Sequence, residues 1–135
     1  MKATDLMIGD WVETGHLVYN KVQEIARDND MQWYISFACS ATLFRAYEFG
    51  PIPLTPEILE KNGIKKKRDE YAVFGWEGMK QWYVTLEDFK PQYDFWFITS
   101  SDRDLNISGQ IRYVHQLQHA LRICGLDELA DNFKI

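Results

Sequence analysis

A chain of 135 residues with 46% hydrophobic and 15% aromatic side chains carries enough apolar surface for one core, which excludes an intrinsically disordered protein. Its formal charge of −5 gives no global attraction to phosphate or anionic lipid, so any nucleic-acid surface would have to be local. No apolar run of signal-peptide or membrane-spanning length is present; the longest uncharged stretch, residues 31–44, is interrupted by polar side chains, and a soluble cytoplasmic protein without membrane contact is expected.

The opening run from Leu6 to Val12 and the run from Leu17 to Ile25 read as two strands joined near Thr14–Gly15, with Gly9–Asp10 predicting a bulge or sharp bend inside the first. Arg27 to Asp30 is a polar turn. A third strand is expected over Met31–Ala38, with Trp33, Ile35 and Phe37 on one face, and a fourth over Thr42–Phe49. A bent first strand of this kind suits a small SH3-like β unit.

Pro51-Ile52-Pro53 reads as an extended connector, because each proline removes a donor and restricts its predecessor. Thr55-Pro56-Glu57 is a helix start and Gly63 its stop, with Leu54 stapling onto Leu59 at entry and Leu59 meeting Ile64 at exit. Lys65 to Glu70 reads as a charged loop. Beyond it come three strand-like runs, Tyr71–Trp76, Gln81–Leu86 and Tyr93–Thr99, dense in aromatic residues on both faces; such a sheet needs two covers. Ile111 to Cys124 is the strongest helical pattern, with Ile111, Val114, Leu117, Leu121 and Cys124 at spacings of three and four, Ser108 as its cap, and Gly125 as its stop with Leu126 folding back on Leu121. The last four residues could add an edge strand. The fold class expected is α+β: an N-terminal SH3-like β unit, a short central helix, and an antiparallel aromatic-rich sheet packed by a C-terminal amphipathic helix. It forms a single domain over 1–135 that can be subdivided into 1–50 and 51–135.

Two stretches, Pro51-Ile52-Pro53-Leu54-Thr55-Pro56-Glu57-Ile58-Leu59-Glu60-Lys61-Asn62-Gly63 and Ile111-Arg112-Tyr113-Val114-His115-Gln116-Leu117-Gln118-His119-Ala120-Leu121-Arg122-Ile123-Cys124-Gly125, resemble small uncharacterised proteins encoded by prophages and mobile elements of anaerobic gut bacteria, and Ile8-Gly9-Asp10-Trp11-Val12 fits the same group. The resemblance implies a cytoplasmic accessory protein and supplies no catalytic residue or cofactor. The segment from Tyr71 to Thr99 has no counterpart in it.

Signals for chemistry are few. His115-Gln116-Leu117-Gln118-His119 has the spacing of a zinc-binding helix, yet Gln116 stands where a metalloprotease needs a Glu base, and helical geometry puts His115 at the edge of the apolar stripe and His119 on its far side, as solvated or boundary histidines. Gln118 lies within the stripe and, if buried, must find hydrogen-bond partners. Asp102-Arg103-Asp104-Leu105-Asn106 lacks the Gly and distal Glu of a calcium loop. Cys39 and Cys124 fall outside any C-x-x-C spacing and read as reduced core thiols. No catalytic residue, cofactor or metal is expected.

Two readings of function follow, from different classes. The first is a non-enzymatic protein-binding or assembly protein that contacts an unknown protein partner, or another copy of itself, through Trp76, Trp82, Tyr83 and Trp96 or an open strand edge. The alternative is a nucleic-acid binder in which Lys65, Lys66, Lys67 and Arg68 grip the backbone, partly neutralised by Asp69 and Glu70. An enzyme whose site is assembled from residues distant in sequence stays open as a third.

Overall fold

The structure, a computed structural model, describes every residue except 16, 28, 38–39, 46–47, 68–69, 78–79, 89–95 and 101–105; side chains are described outside those and outside 4, 40–43, 45, 67, 70, 72–77, 80–88, 96–100 and 106–109. After a 3-10 turn at Ala3–Asp5 come β1 (Trp11–Glu13), β2 (Tyr19–Arg27), β3 (Trp33–Phe37), β4 (Ser40–Arg45) and β5 (Gly50–Pro51). The helix α1 (Pro56–Lys61) leads into β6 (Lys65–Lys67), β7 (Glu70–Glu77), β8 (Lys80–Asp88), β9 (Trp96–Ser100) and β10 (Asn106–Ile111), followed by α2 (Val114–Ile123) and α3 (Asp127–Asp131). The protein is α+β, with antiparallel strands in the orders β4-β3-β2-β1-β5 and β10-β9-β8-β7-β6.

The first sheet forms because alternate residues of its strands are apolar and turn to one side. Val12, Val22, Ile35, Phe37 and Phe49 bury there together with Ala3 and Leu6 of the amino-terminal segment. The expected bend lies at Gly9, whose φ of +91° is costly for any residue with a Cβ. There the Gly9 amide donates to the Val22 carbonyl at 2.7 Å and the Val22 amide to the Asp10 carbonyl at 2.8 Å, so regular pairing with β2 begins only at Trp11.

The proline connector is extended, as its composition requires. Its non-proline groups carry the pairing: Leu54 donates to Arg112 O at 2.9 Å and Ile52 O accepts from Val114 at 2.9 Å, either side of a Pro53–Tyr113 bridge. In α1 the Thr55 hydroxyl accepts from Ile58 N at 3.4 Å. Both α1 and α2 close by the same left-handed glycine turn: Gly63 and Gly125 each have φ of +75°, Ile64 N bonds to Leu59 O at 3.0 Å, and Leu126 N bonds to Leu121 O at 2.9 Å. Helix α2 then buries Val114, Leu117 and Leu121 against Leu59 and Ile64, against Tyr71 and Ile111 of the second sheet, and against Ala130 and Phe133.

Four expectations are corrected. Lys65–Lys67 is not loop but β6, the edge strand of the second sheet, paired with Ala72, Tyr71 and Glu70; an edge strand needs hydrogen bonds on one side only and tolerates consecutive lysines, which discourage further strand addition. The α2 helix starts at Val114, three residues later than its apolar spacing suggests, and Ser108 lies inside β10 rather than at a cap. Pairing of Ile111 with Trp96 and the Pro53–Tyr113 bridge hold this stretch extended, and Gln116 caps the helix by accepting from Arg112 N at 2.8 Å and Tyr113 N at 3.2 Å. The carboxyl-terminal four residues are not a strand; they follow α3, and Asn62 holds them by donating to Lys134 O at 2.8 Å and accepting from Lys134 N at 2.7 Å. The fourth strand spans Ser40–Arg45 among the described residues, with Glu48 and Phe49 outside it and 46–47 not described.

Candidate functional site

The polar residues of α2 and the bend of residues 7–11 meet in one cluster. Asp10 has no solvent exposure, and a buried carboxylate is stable only when its lone pairs are filled. Oδ1 accepts from Arg122 Nη1 at 2.9 Å; Oδ2 accepts from Met7 N at 2.8 Å and from His119 Nε2 at 2.6 Å. Arg122 extends the cluster through Nη2, which donates to Ile8 O at 3.3 Å and Asp131 Oδ1 at 3.2 Å. Burial works against the Arg122 charge, but the hydrogen bonds to Asp10 and Asp131 outweigh it and its pKa is raised, so the guanidinium stays charged.

Gln118 is fully buried and fully used: Oε1 accepts from Trp11 N at 3.0 Å, while Nε2 donates to Gly9 O at 3.0 Å and Ala130 O at 2.9 Å. One amide thus ties the bend, α2 and α3 together. The Trp11 indole adds a bond from Nε1 to Phe133 O at 2.7 Å. His115 is the exception. It is only 4% exposed, its ring lies parallel to Tyr113 with centroids 5.9 Å apart and edge-on to His119 at 5.9 Å, and its Nδ1 has no partner. Desolvation lowers its pKa despite the attraction of the Asp10 charge. Of the two histidines expected to be solvated or at the boundary, His115 is corrected, since it is buried, while His119 is partly exposed and bonded to Asp10.

Chemically, the cluster is an Asp–His pair flanked by an arginine. Among the described residues no serine, threonine or cysteine side chain is hydrogen-bonded to His119, and no group of three His, Cys, Asp or Glu side chains is placed to hold a metal ion. Its atoms are committed to fastening residues 7–11 onto α2. No family model, curated protein or solved structure matches this chain. No helix among the described residues is long and apolar enough to cross a membrane.

The other candidate residues fall elsewhere. Trp76, Trp82 and Trp96 lie in β7, β8 and β9, and Tyr83 in β8; Trp82 pairs across the ladder with Gly75, Tyr83 with Phe74, Trp76 with Gln81 and Trp96 with Asp88. Their side chains lie outside the described set. Lys65 and Lys66 are exposed on β6, with the Lys66 ammonium 5.9 Å from the centre of the Tyr71 ring; Arg68 lies outside the described residues, as do Cys39 and residues 102–105. Cys124 is a free thiol, partly buried and packed against the core around α2. Asp10 was missed in the sequence. Its signal was a lone acid beside a bend-forming glycine inside an apolar run, where a charge must be buried or break the strand.

Proposed function

We propose that this is a non-enzymatic protein-binding or assembly protein, of the prophage or mobile-element kind that the sequence resemblance implies. The observation that carries the proposal is the display of Met7 and Ile8, 49% and 65% exposed, on a bend fastened by the Asp10, Gln118, His119 and Arg122 bonds. A chain that buries a carboxylate to hold two large apolar side chains in water gains nothing in folding from those side chains. It gains a preorganised contact, which costs little ordering entropy on binding. Met is the adaptable residue of such surfaces. Ile123, next to Arg122, is 72% exposed and extends the apolar character of that end of α2. In this reading the first sheet is an SH3-like unit, and Trp76, Trp82, Tyr83 and Trp96 form a second contact area.

The test is light scattering across a concentration series, with cross-linking to partners in the native host, on the wild-type protein and on Ile8→Asp and Met7→Asp. The expected result is an oligomer or a partner complex that both substitutions abolish with the melting temperature unchanged. A strict monomer without any partner complex sensitive to these positions overturns the proposal.

Nucleic-acid binding is the second reading, favoured by the exposed Lys65 and Lys66 side by side on an edge strand. It requires a mobility shift at low salt that weakens steeply as salt rises. A chain of charge −5 makes it the weaker of the two.

A further inference from the structure

We propose, resting on the assembly function, that the β7–β8 hairpin is a two-stranded arm through which two copies of the chain join about a two-fold axis. The strand register carries the idea. Strand β6 reaches β7 only as far as Ala72, opposite Lys65, and β9 reaches β8 only as far as Val84, opposite Ser100. The ladder between β7 and β8 runs on past both, through Phe74–Tyr83, Gly75–Trp82, Trp76–Gln81 and Glu77–Lys80. Among the described residues no third strand flanks these last pairs. A ribbon of two strands is marginal in water unless something packs on it, and its outer backbone groups stay open for pairing.

Strand alternation assigns the faces. Tyr71 and Ile111 are buried with α2, so their face is the helix side of the sheet; by register Trp96, opposite Ile111, and Trp82, opposite Gly75, share it. Phe74, Trp76 and Tyr83 fall on the other face. Of the four rings expected to form one contact area, Trp96 therefore belongs to the body of the sheet, while Trp76, Trp82 and Tyr83 belong to the arm together with Phe74. Residues 74–83 thus combine four aromatic residues with a single pair of opposite charges, Glu77 and Lys80. In a chain of charge −5, a neutral arm is where a second copy approaches with least repulsion, and it lacks the cations that grip phosphate. Gly75, interior to a strand, suits close approach of another backbone. Large rings bury about 150–250 Å² each, so two such arms cover about 1,200–2,000 Å², the size of a stable interface. Two-fold pairing gives each arm the same cover that it gives its partner.

Sedimentation equilibrium of the full chain tests this, together with lysine cross-linking of an equal mixture of isotopically light and heavy protein. A monomer–dimer equilibrium is expected, with mixed light–heavy links that include Lys80. Trp76→Ser and Tyr83→Ser are expected to weaken the dimer by about thirtyfold or more, as loss of a central interface ring does, with the melting temperature in dilute solution unchanged. Met7→Asp and Ile8→Asp are expected to leave this dimer intact, the bend then serving a complex with another protein, so failure of the arm is separable from failure of the contact at the bend. A monomer at every concentration overturns the proposal, as does a dimer that either arm variant forms as tightly as the wild-type protein. Mixed links that omit Lys80 also overturn it, and they are read on the wild-type chain, so a variant that fails to fold does not shield the proposal. A monomer that shifts single-stranded DNA, and loses the shift in Tyr83→Ser, overturns it in favour of the nucleic-acid reading.

Discussion

The buried carboxylate of Asp10 lies 2.9 Å from the guanidinium of Arg122, joining the bend before the first strand to the last turn of α2. The two partners differ in exposure: none of the Asp10 side chain reaches water, against 15% of Arg122. Removing each should therefore cost a different amount. Arg122→Met strands a buried charge and is expected to lose about 3–5 kcal/mol in urea unfolding. Asp10→Asn should lose less, because the abandoned guanidinium can turn outward to solvent. Equal losses would mean that Asp10 is reached by water.

Gln118 makes three bonds with one amide. Gln118→Leu leaves an amide and two carbonyls short of partners and is expected to cost about 1–3 kcal/mol. Gln118→Glu is the sharper test. It keeps an acceptor for Trp11 N but turns the donor that faces Gly9 O and Ala130 O into a carboxylate oxygen. The substituted protein should be less stable than the leucine variant at neutral pH and recover as pH falls, since a buried carboxyl with acceptors for neighbours holds its proton to higher pH. Melting curves from pH 7 to pH 5 would read this, and the same stability at both ends would refute it.

Glycine substitution separates backbone strain from crowding. At Gly125 an added Cβ meets nothing within 4 Å, so Gly125→Ala should cost only the left-handed backbone, about 1–2 kcal/mol. At Gly9 an added Cβ would sit 2.9 Å from Arg122 Nη2, which is held by Ile8 O and Asp131. Gly9→Ala is expected to cost more than Gly125→Ala, with the excess disappearing in an Arg122→Ala background. A double-mutant cycle measures that coupling, and strict additivity would show the guanidinium to be free to step aside.

Burial raises the Cys124 pKa, which reduces the thiolate, the form that reacts. At pH 8 alkylation of Cys124, followed by peptide mapping, should run slower than that of a free cysteine and reach the free rate only in denaturant. Reaction at the free rate in the folded protein would place the thiol in water.

The local features were legible because short-range chemistry dictates them. Thr55 with Pro56, Gly63 with Ile64, and Gly125 with Leu126 each contain the whole device that starts or stops a helix, and each behaves as its residues require. The alternation of Trp33, Ile35 and Phe37 likewise yields a strand that buries Ile35 and Phe37, and the stripe position of Gln118 already demanded partners. Only the tertiary structure decided who those partners are. Lys65–Lys67 has no apolar pattern and becomes a strand because β7 lies beside it; Ile111 has helical spacing and is drawn into β10 by Trp96. Asp10 meets Arg122 across most of the chain, a pairing that no local window contains. Burial of a charge is a property of where distant segments come together, and it set the fastening of the bend onto α2.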